Sequence, residues 1–210
     1  MAGNRLMDPS GWEAFVHGVF AITITLLVLD IRVPPIDRTP DASALLDALV
    51  AEWPRYLAYL LSFLYVGAYW IGTHRSLRMS RAVDHVMLVI GLVYLLSIAV
   101  VPFVSALLAE YVAVGDGRSQ VVVVVFLGWQ LVVNSLAFVV LLYSSRSGLL
   151  RADLDPADVR RWLRLALAAP LIWAVAFVVA LVIGAAALAF PMILLAAWLW
   201  ERPGMKAGRT

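Results

Sequence analysis

Gly11-Trp12-Glu13-Ala14-Phe15-Val16-His17-Gly18-Val19-Phe20-Ala21-Ile22-Thr23-Ile24-Thr25-Leu26-Leu27-Val28-Leu29-Asp30-Ile31-Arg32-Val33-Pro34 decides the fold. Between Glu13 and Asp30 its one ionisable side chain is His17; the rest is apolar apart from a glycine and two threonines. A helix needs about 20 such residues to cross the hydrocarbon of a bilayer. Trp12 to Val33 supplies them, and Pro34-Pro35 ends the run. A cleaved signal peptide is disfavoured, because the run closes in Asp-Ile-Arg-Val-Pro-Pro rather than in a small-residue cleavage site.

The remainder of the chain repeats this pattern. Hydrophobic residues make up 63% of the 210 positions and charged ones 14%. Soluble domains carry roughly a quarter charged, and one soluble core has no room for so many long apolar runs. Mean hydropathy is +0.92. The expected class is therefore all-α, a polytopic membrane protein with six transmembrane helices in one domain. The spans read at about 12–33, 54–72, 85–109, 121–143, 162–182 and 185–200. The last two come from dividing one over-long apolar run, Trp162 to Trp200, near Gly184. Thr39-Pro40-Asp41 reads as a helix start, so Ala42 to Glu52 is expected to form a short amphipathic helix at the interface. Asp155-Pro156 reads as another start.

Positive charge orients the chain. With the N-terminus inside, the cytoplasmic segments hold Arg5, Arg75, Arg78, Arg81, Arg146, Arg151, Arg160, Arg161, Arg164, Arg202, Lys206 and Arg209, which is 12 of the 16 cations. Arg32, Arg38, Arg55 and Arg118 fall opposite. Both termini are expected in the cytoplasm. The sequence pI near 9.1 does not indicate nucleic acid, since the arginines sit at span ends rather than along one polar face.

Several chemistries are not supported. There are no cysteines, which excludes disulfides and thiolate sites. Mid-span carboxylates of the kind carriers and pumps use are nearly absent, and no zinc-protease or Ser/His constellation occurs. No catalytic, cofactor-binding or metal-binding set is assigned, and no internal repeat is visible. On a helical projection, Phe15, Ile22, Leu26 and Leu29 lie within roughly 40° of one line. Lipid contact or packing is the ordinary meaning of such a stripe; a seam between copies of the helix is the other. His17 points about 140° from the Ile22 line, towards neighbouring helices. It reads either as an interhelical hydrogen-bonding group, with Trp70, Ser97 or Asn134 as partners, or as a pH-sensitive element. Thr25 reads as bonding back to its own helix or as edging a pore. Asp30 reads as a local ion pair with Arg32 or as a cation-attracting ring.

Gly18 to Pro34 resembles, almost without a break, the first-helix pattern G-V-F-A-I-x-I-T-L-L-V-L-[DE]-I-x-V-P of the prokaryotic potassium channels of the transmembrane protein 175 family. Tyr69-Trp70 with His74-Arg75, and Pro102-Phe103 with Ala106-Leu107-Leu108 and Glu110-Tyr111, extend the resemblance; Phe190-Pro191 is a weaker match. The resemblance implies a non-canonical cation channel, a homotetramer surrounded by membrane lipid. In it four first helices line a pore for K+ ions without a Thr-Val-Gly-Tyr-Gly filter. Carried over by position, the constriction rings are Ile22, Leu26 and Leu29, while Phe15, His17, Thr25, Asp30, Trp70 and His74 support or gate that helix. A bacterial inner (cell) membrane is implied as well. The family's preceding R-x-x-x-F-S-D motif is altered: Gly11 replaces its Arg, Val16 its Ser and His17 its Asp, and Gly91 stands where an Asn is frequent. That departure keeps two alternatives in view, a proton-permeable or weakly selective channel and a non-conducting membrane scaffold.

Overall fold

The computed structural model describes residues 6–188. Among them the elements are α1 (Ser10–Leu26), α2 (Ala42–Ala51), α3 (Trp53–Met79), α4 (His85–Ala99), α5 (Val101–Tyr111), α6 (Gly117–Arg146) and α7 (Pro156–Ile183), with short 3-10 turns after α1, α5 and α7 and before α2. The all-α class expected from composition is the class observed, and β-pairing among the described residues is limited to isolated bridges. Among the described residues, five stretches are long and apolar enough to cross a membrane: Ser10–Asp30, Trp53–Met79, His85–Val114, Gly117–Arg146 and Pro156–Ile183. The chain is a multi-pass membrane protein. The expected span 185–200 lies outside the described residues except at its first positions.

Aspartates start most of these helices, because a side-chain oxygen satisfies one of the amides that the first turn leaves unpaired. Asp41 accepts from the Ala44 amide at 2.8 Å, Asp84 from Met87 at 2.7 Å, Asp116 from Arg118 at 2.8 Å and Asp155 from Ala157 at 2.7 Å. Asp84 does more, since its second oxygen accepts from the Tyr143 hydroxyl at 2.8 Å and so joins the foot of α4 to α6. At Gly184 the backbone turns to φ +59°, a conformation that glycine adopts without penalty, and α7 stops.

The stretch read as one third span is divided. Pro102 lacks the amide hydrogen that would bond the carbonyl of Ile98, and its ring crowds that carbonyl. The helix accordingly breaks at Val100, giving α4 and then α5, with Pro102 in the first turn of the second piece.

Two packed regions hold the bundle. One joins α3, α5, α6 and α7 around Tyr65, Leu108, Phe126, Leu127 and Trp173. The other joins α1 to α3, α4 and α6 around Val16, Phe20, Val66, Tyr94, Ile98 and Val133. At one end of the bundle, backbone bonds clamp three separate segments together. Met7 and Val83 exchange N–H···O bonds of 2.8 and 3.1 Å, the Arg81 amide donates to Leu149 O at 2.8 Å, and the Arg151 amide donates to Met79 O at 2.9 Å. The N-terminal stub, the α3–α4 link and the α6–α7 loop therefore share one face of the molecule.

Candidate functional site: the first helix and its supports

Helix α1 has two unlike faces. Val16, Phe20, Thr23 and Leu27 are buried against α3 and α4. Phe15, Ile22, Leu26 and Leu29 are 51%, 61%, 43% and 72% exposed. Gly18 and Ala21 on the same side are exposed too, so the stripe is uncovered along its length. Beyond Leu26 the helix tightens into a 3-10 turn, Leu27–Asp30. Residues three apart eclipse in that geometry, which sets Leu29 over Leu26 and carries the stripe to the helix end. Thr25 lies on this face, and its hydroxyl donates back to the carbonyls of Ala21 and Ile22 at 3.0 and 2.9 Å.

The opposite side of the helix foot carries a compact polar group. Glu13 and His17, four residues apart, meet His74 of α3, and one ligand atom from each lies within 4.8 Å of the others. His74 Nδ1 is 4.0 Å from Glu13 Oε1. Trp70 stacks on His74, with centroids 5.5 Å apart and planes at 18°, and the His17 ring lies 5.6 Å from His74 and 6.1 Å from Trp70. The hydrogen bond expected from His17 to Trp70, Ser97 or Asn134 is not formed, and its Nε2 is buried without a partner. Trp70 meets it by ring packing alone. The Ser97 hydroxyl donates to Tyr94 O at 2.6 Å, while its carbonyl accepts from Trp129 Nε1 at 2.9 Å. Asn134 is committed to the Tyr69 hydroxyl at 2.8 Å, and Tyr69 donates onward to Gln130 Oε1 at 2.9 Å. These last bonds tie α3 to α6 behind α1.

At the other end of α1 the expected local pair of Asp30 with Arg32 gives way to a wider arrangement. Arg32 reaches Glu110 at 3.4 Å, and Arg55 bridges Glu110, at 2.6 Å, and Glu52. Asp30 and Leu29 line a cleft of about 160 Å³ with Arg32, Arg55 and Glu110. The carboxylate of α5 thus anchors both the exit of α1 and the start of α3.

Residues 12–102 match the family model described as the endosomal/lysosomal potassium channel TMEM175. A potassium channel of Streptomyces collinus is 43% identical over 121 residues, 57% of this chain and 57% of that protein. The human endosomal/lysosomal proton channel TMEM175 is 40% identical over 97 residues, 42% of this chain and 18% of that one. The crystal structure of a lysosomal potassium-selective channel TMEM175 homolog from Chamaesiphon minutus superposes with a TM-score of 0.76 at 27% identity, covering 90% of this chain and 94% of that one. Over residues 12–102 the chain is similar to the TMEM175 family. Its alignment spans just over half the length of the Streptomyces relative.

Every residue that sequence reading assigned to the site lies inside the segment matched by the TMEM175 model. Two features of the site were not assigned from sequence. Glu13 joins the two histidines, and its four-residue spacing from His17 was the available signal. Trp12 sits so close to Gly91 of α4 that a Cβ there would lie 2.4 Å from Trp12 Cζ2. The bare backbone at Gly91 is what admits this indole.

Proposed function

We propose that the chain is a potassium-preferring cation channel in which four copies of α1 surround a central pore. The observation that carries this reading is the uncovered aliphatic stripe on a helix whose other face is fully engaged. Scattered apolar side chains on a membrane protein need no explanation. Here Ile22, Leu26 and Leu29, which are exposed together with Phe15 and Val28, are also the residues that the family resemblance designates as rings. The names of the Streptomyces relative and of the Chamaesiphon structure, a potassium channel and a potassium-selective channel, support K+ as the permeant ion.

Rings of isoleucine and leucine offer no carbonyl or charge in place of an ion's water. They act through pore width and through wetting and dewetting of a hydrophobic neck. An ion that releases hydration water more readily passes such a neck at lower cost, which favours K+ over Na+. Phe15 continues the stripe towards the foot of α1, Thr25 edges it, and Asp30 stands at its other end. His17, Trp70 and His74 brace the helix from behind.

The face formed by the N-terminal stub, the α3–α4 link and the α6–α7 loop carries Arg75, Arg78, Arg81, Arg146 and Arg151, which supports a cytoplasmic assignment. The N-terminal end of α1 then lies on the cytoplasmic side, the expected sixth span at 185–200 would return the chain to that side, and bacterial relatives support a cell-membrane location. A second reading, conduction of protons or weak selectivity, is favoured by the name of the human relative and by the altered motif at Gly11, Val16 and His17.

The test is K+ against Na+ flux from purified protein in liposomes beside protein-free vesicles and an Ile22→Asn variant. The channel reading expects K+-preferring flux in the parent and a weakened preference in Ile22→Asn. Flux carried by protons alone would select the second reading. No flux above protein-free vesicles, over a range of pH, would leave a membrane scaffold.

A further inference from the structure

We propose that Glu13, His17 and His74 form a binding site for a divalent transition-metal ion of the zinc type, which joins α1 to α3. The three donors come from two helices and converge: their ligand atoms lie within 4.8 Å of one another. Two imidazoles and one carboxylate are a donor set that suits zinc and its neighbours, with a fourth position left for water. Calcium and magnesium require oxygen-rich shells and are poorly served here.

The second observation is electrostatic. His17 Nε2 and His74 Nδ1 are both buried and both lack a hydrogen-bond partner. An unsatisfied polar nitrogen in an apolar setting is costly, and two of them facing the same small space point to something that both can hold. A Glu13–His74 ion pair is the competing account. Its N···O separation is 4.0 Å, the limit of such a pair, and it leaves His17 Nε2 unsatisfied. One cation would engage all three groups. At zinc bond lengths of about 2.0–2.2 Å, tetrahedral ligand atoms sit roughly 3.3 Å apart, so the closure needed is side-chain rotation rather than helix movement.

The surroundings fix the ligands. Glu13 and His17 are one turn apart on one face of α1. The indole of Trp70 stacks on His74 and holds its ring plane. An ion here clips the foot of α1 to α3. The site itself stands independently of the channel reading; only its consequence rests on that reading, namely that Zn2+ slows flux by restraining the pore helix.

Binding is tested on detergent-purified, metal-stripped protein carrying no histidine tag. The readouts are calorimetric titration with ZnCl2 and the visible absorption of Co2+, whose ligand-field bands report a low-coordinate nitrogen and oxygen site. One Zn2+ per chain is expected, with affinity falling by at least about 10-fold in Glu13→Gln, His17→Gln and His74→Gln. His85→Gln, at the exposed start of α4, should be unchanged. Glu13→Gln keeps the test alive if a histidine variant fails to fold, because its side chain is about a third exposed. Absence of saturable Zn2+ binding, affinity in the three variants unchanged from the parent, or loss of binding in His85→Gln would each overturn the proposal. Zn2+ binding without any change in flux would keep the site and remove its consequence.

Discussion

Gly91→Ala perturbs the contact that sets the angle of α1 against α4. The added Cβ would fall 2.4 Å from Trp12 Cζ2 and 2.9 Å from Cη2, where carbon atoms settle at about 3.5–4.0 Å. The indole, or the foot of α1, must therefore retreat by about 1 Å. Overpacking of that kind typically costs about 1–3 kcal/mol. The clash belongs to one pair of residues, so a double-mutant cycle isolates it. In a Trp12→Leu background the ring is gone, and Gly91→Ala should cost little beyond its small intrinsic effect. The expected coupling is about 1–2 kcal/mol, read from unfolding in mixed detergent micelles followed by far-ultraviolet circular dichroism. An equal loss in both backgrounds would refute the reasoning and place the strain elsewhere. Because Glu13 follows Trp12 directly, the same variant should also weaken Zn2+ binding if the packing and the proposed metal site are coupled.

Two further substitutions probe the supports of α1. Tyr69→Phe removes the hydroxyl that links Asn134 and Gln130 and should lower stability by about 0.6–1.7 kcal/mol, between the mean and the largest value typical of interhelical hydrogen bonds in membranes; an unchanged unfolding midpoint would mean the network is incidental. Arg55→Met should cost about 1–3 kcal/mol, because the arginine side chain is 16% exposed and serves both Glu52 and Glu110. Arg32→Met, at an end 66% exposed, should cost under about 1 kcal/mol, and equal losses for the two would contradict the assignment of Arg55 as the anchor.

The helical class and the stripe on α1 were legible because both follow from local rules. Bilayer thickness sets the length of an apolar run, and the α-helical period places Ile22, Leu26 and Leu29 on one side. What escaped was non-local or locally ambiguous. Pro102 was visible, yet prolines persist inside membrane helices when neighbours satisfy the freed carbonyl, so the break at Val100 did not follow from the proline alone. Arg32 was expected to pair with Asp30, two residues away. Its partner is Glu110, brought near by the packing of α5 against α3, and no sequence spacing encodes that. His17 was expected to hydrogen-bond a neighbour; instead Trp70 and His74 cover it with rings, and its four-residue spacing from Glu13 gained meaning only when α3 supplied His74. Trp12 and Gly91 are complementary in volume, a relation that appears only once α1 lies on α4.

The central claim is that the exposed face of α1 lines a water-filled path, and the absence of native cysteines allows it to be tested directly. Single cysteines at Ile22, Leu26 and Leu29, with Leu96→Cys on the exposed side of α4 as the comparison, are to be treated with a charged, membrane-impermeant thiol reagent during K+ flux. The account predicts modification and block at Leu29→Cys first, and at Leu26→Cys and Ile22→Cys when the pore conducts, with Leu96→Cys untouched. Inert α1 positions beside undiminished flux, or reaction at Leu96→Cys alone, would contradict it.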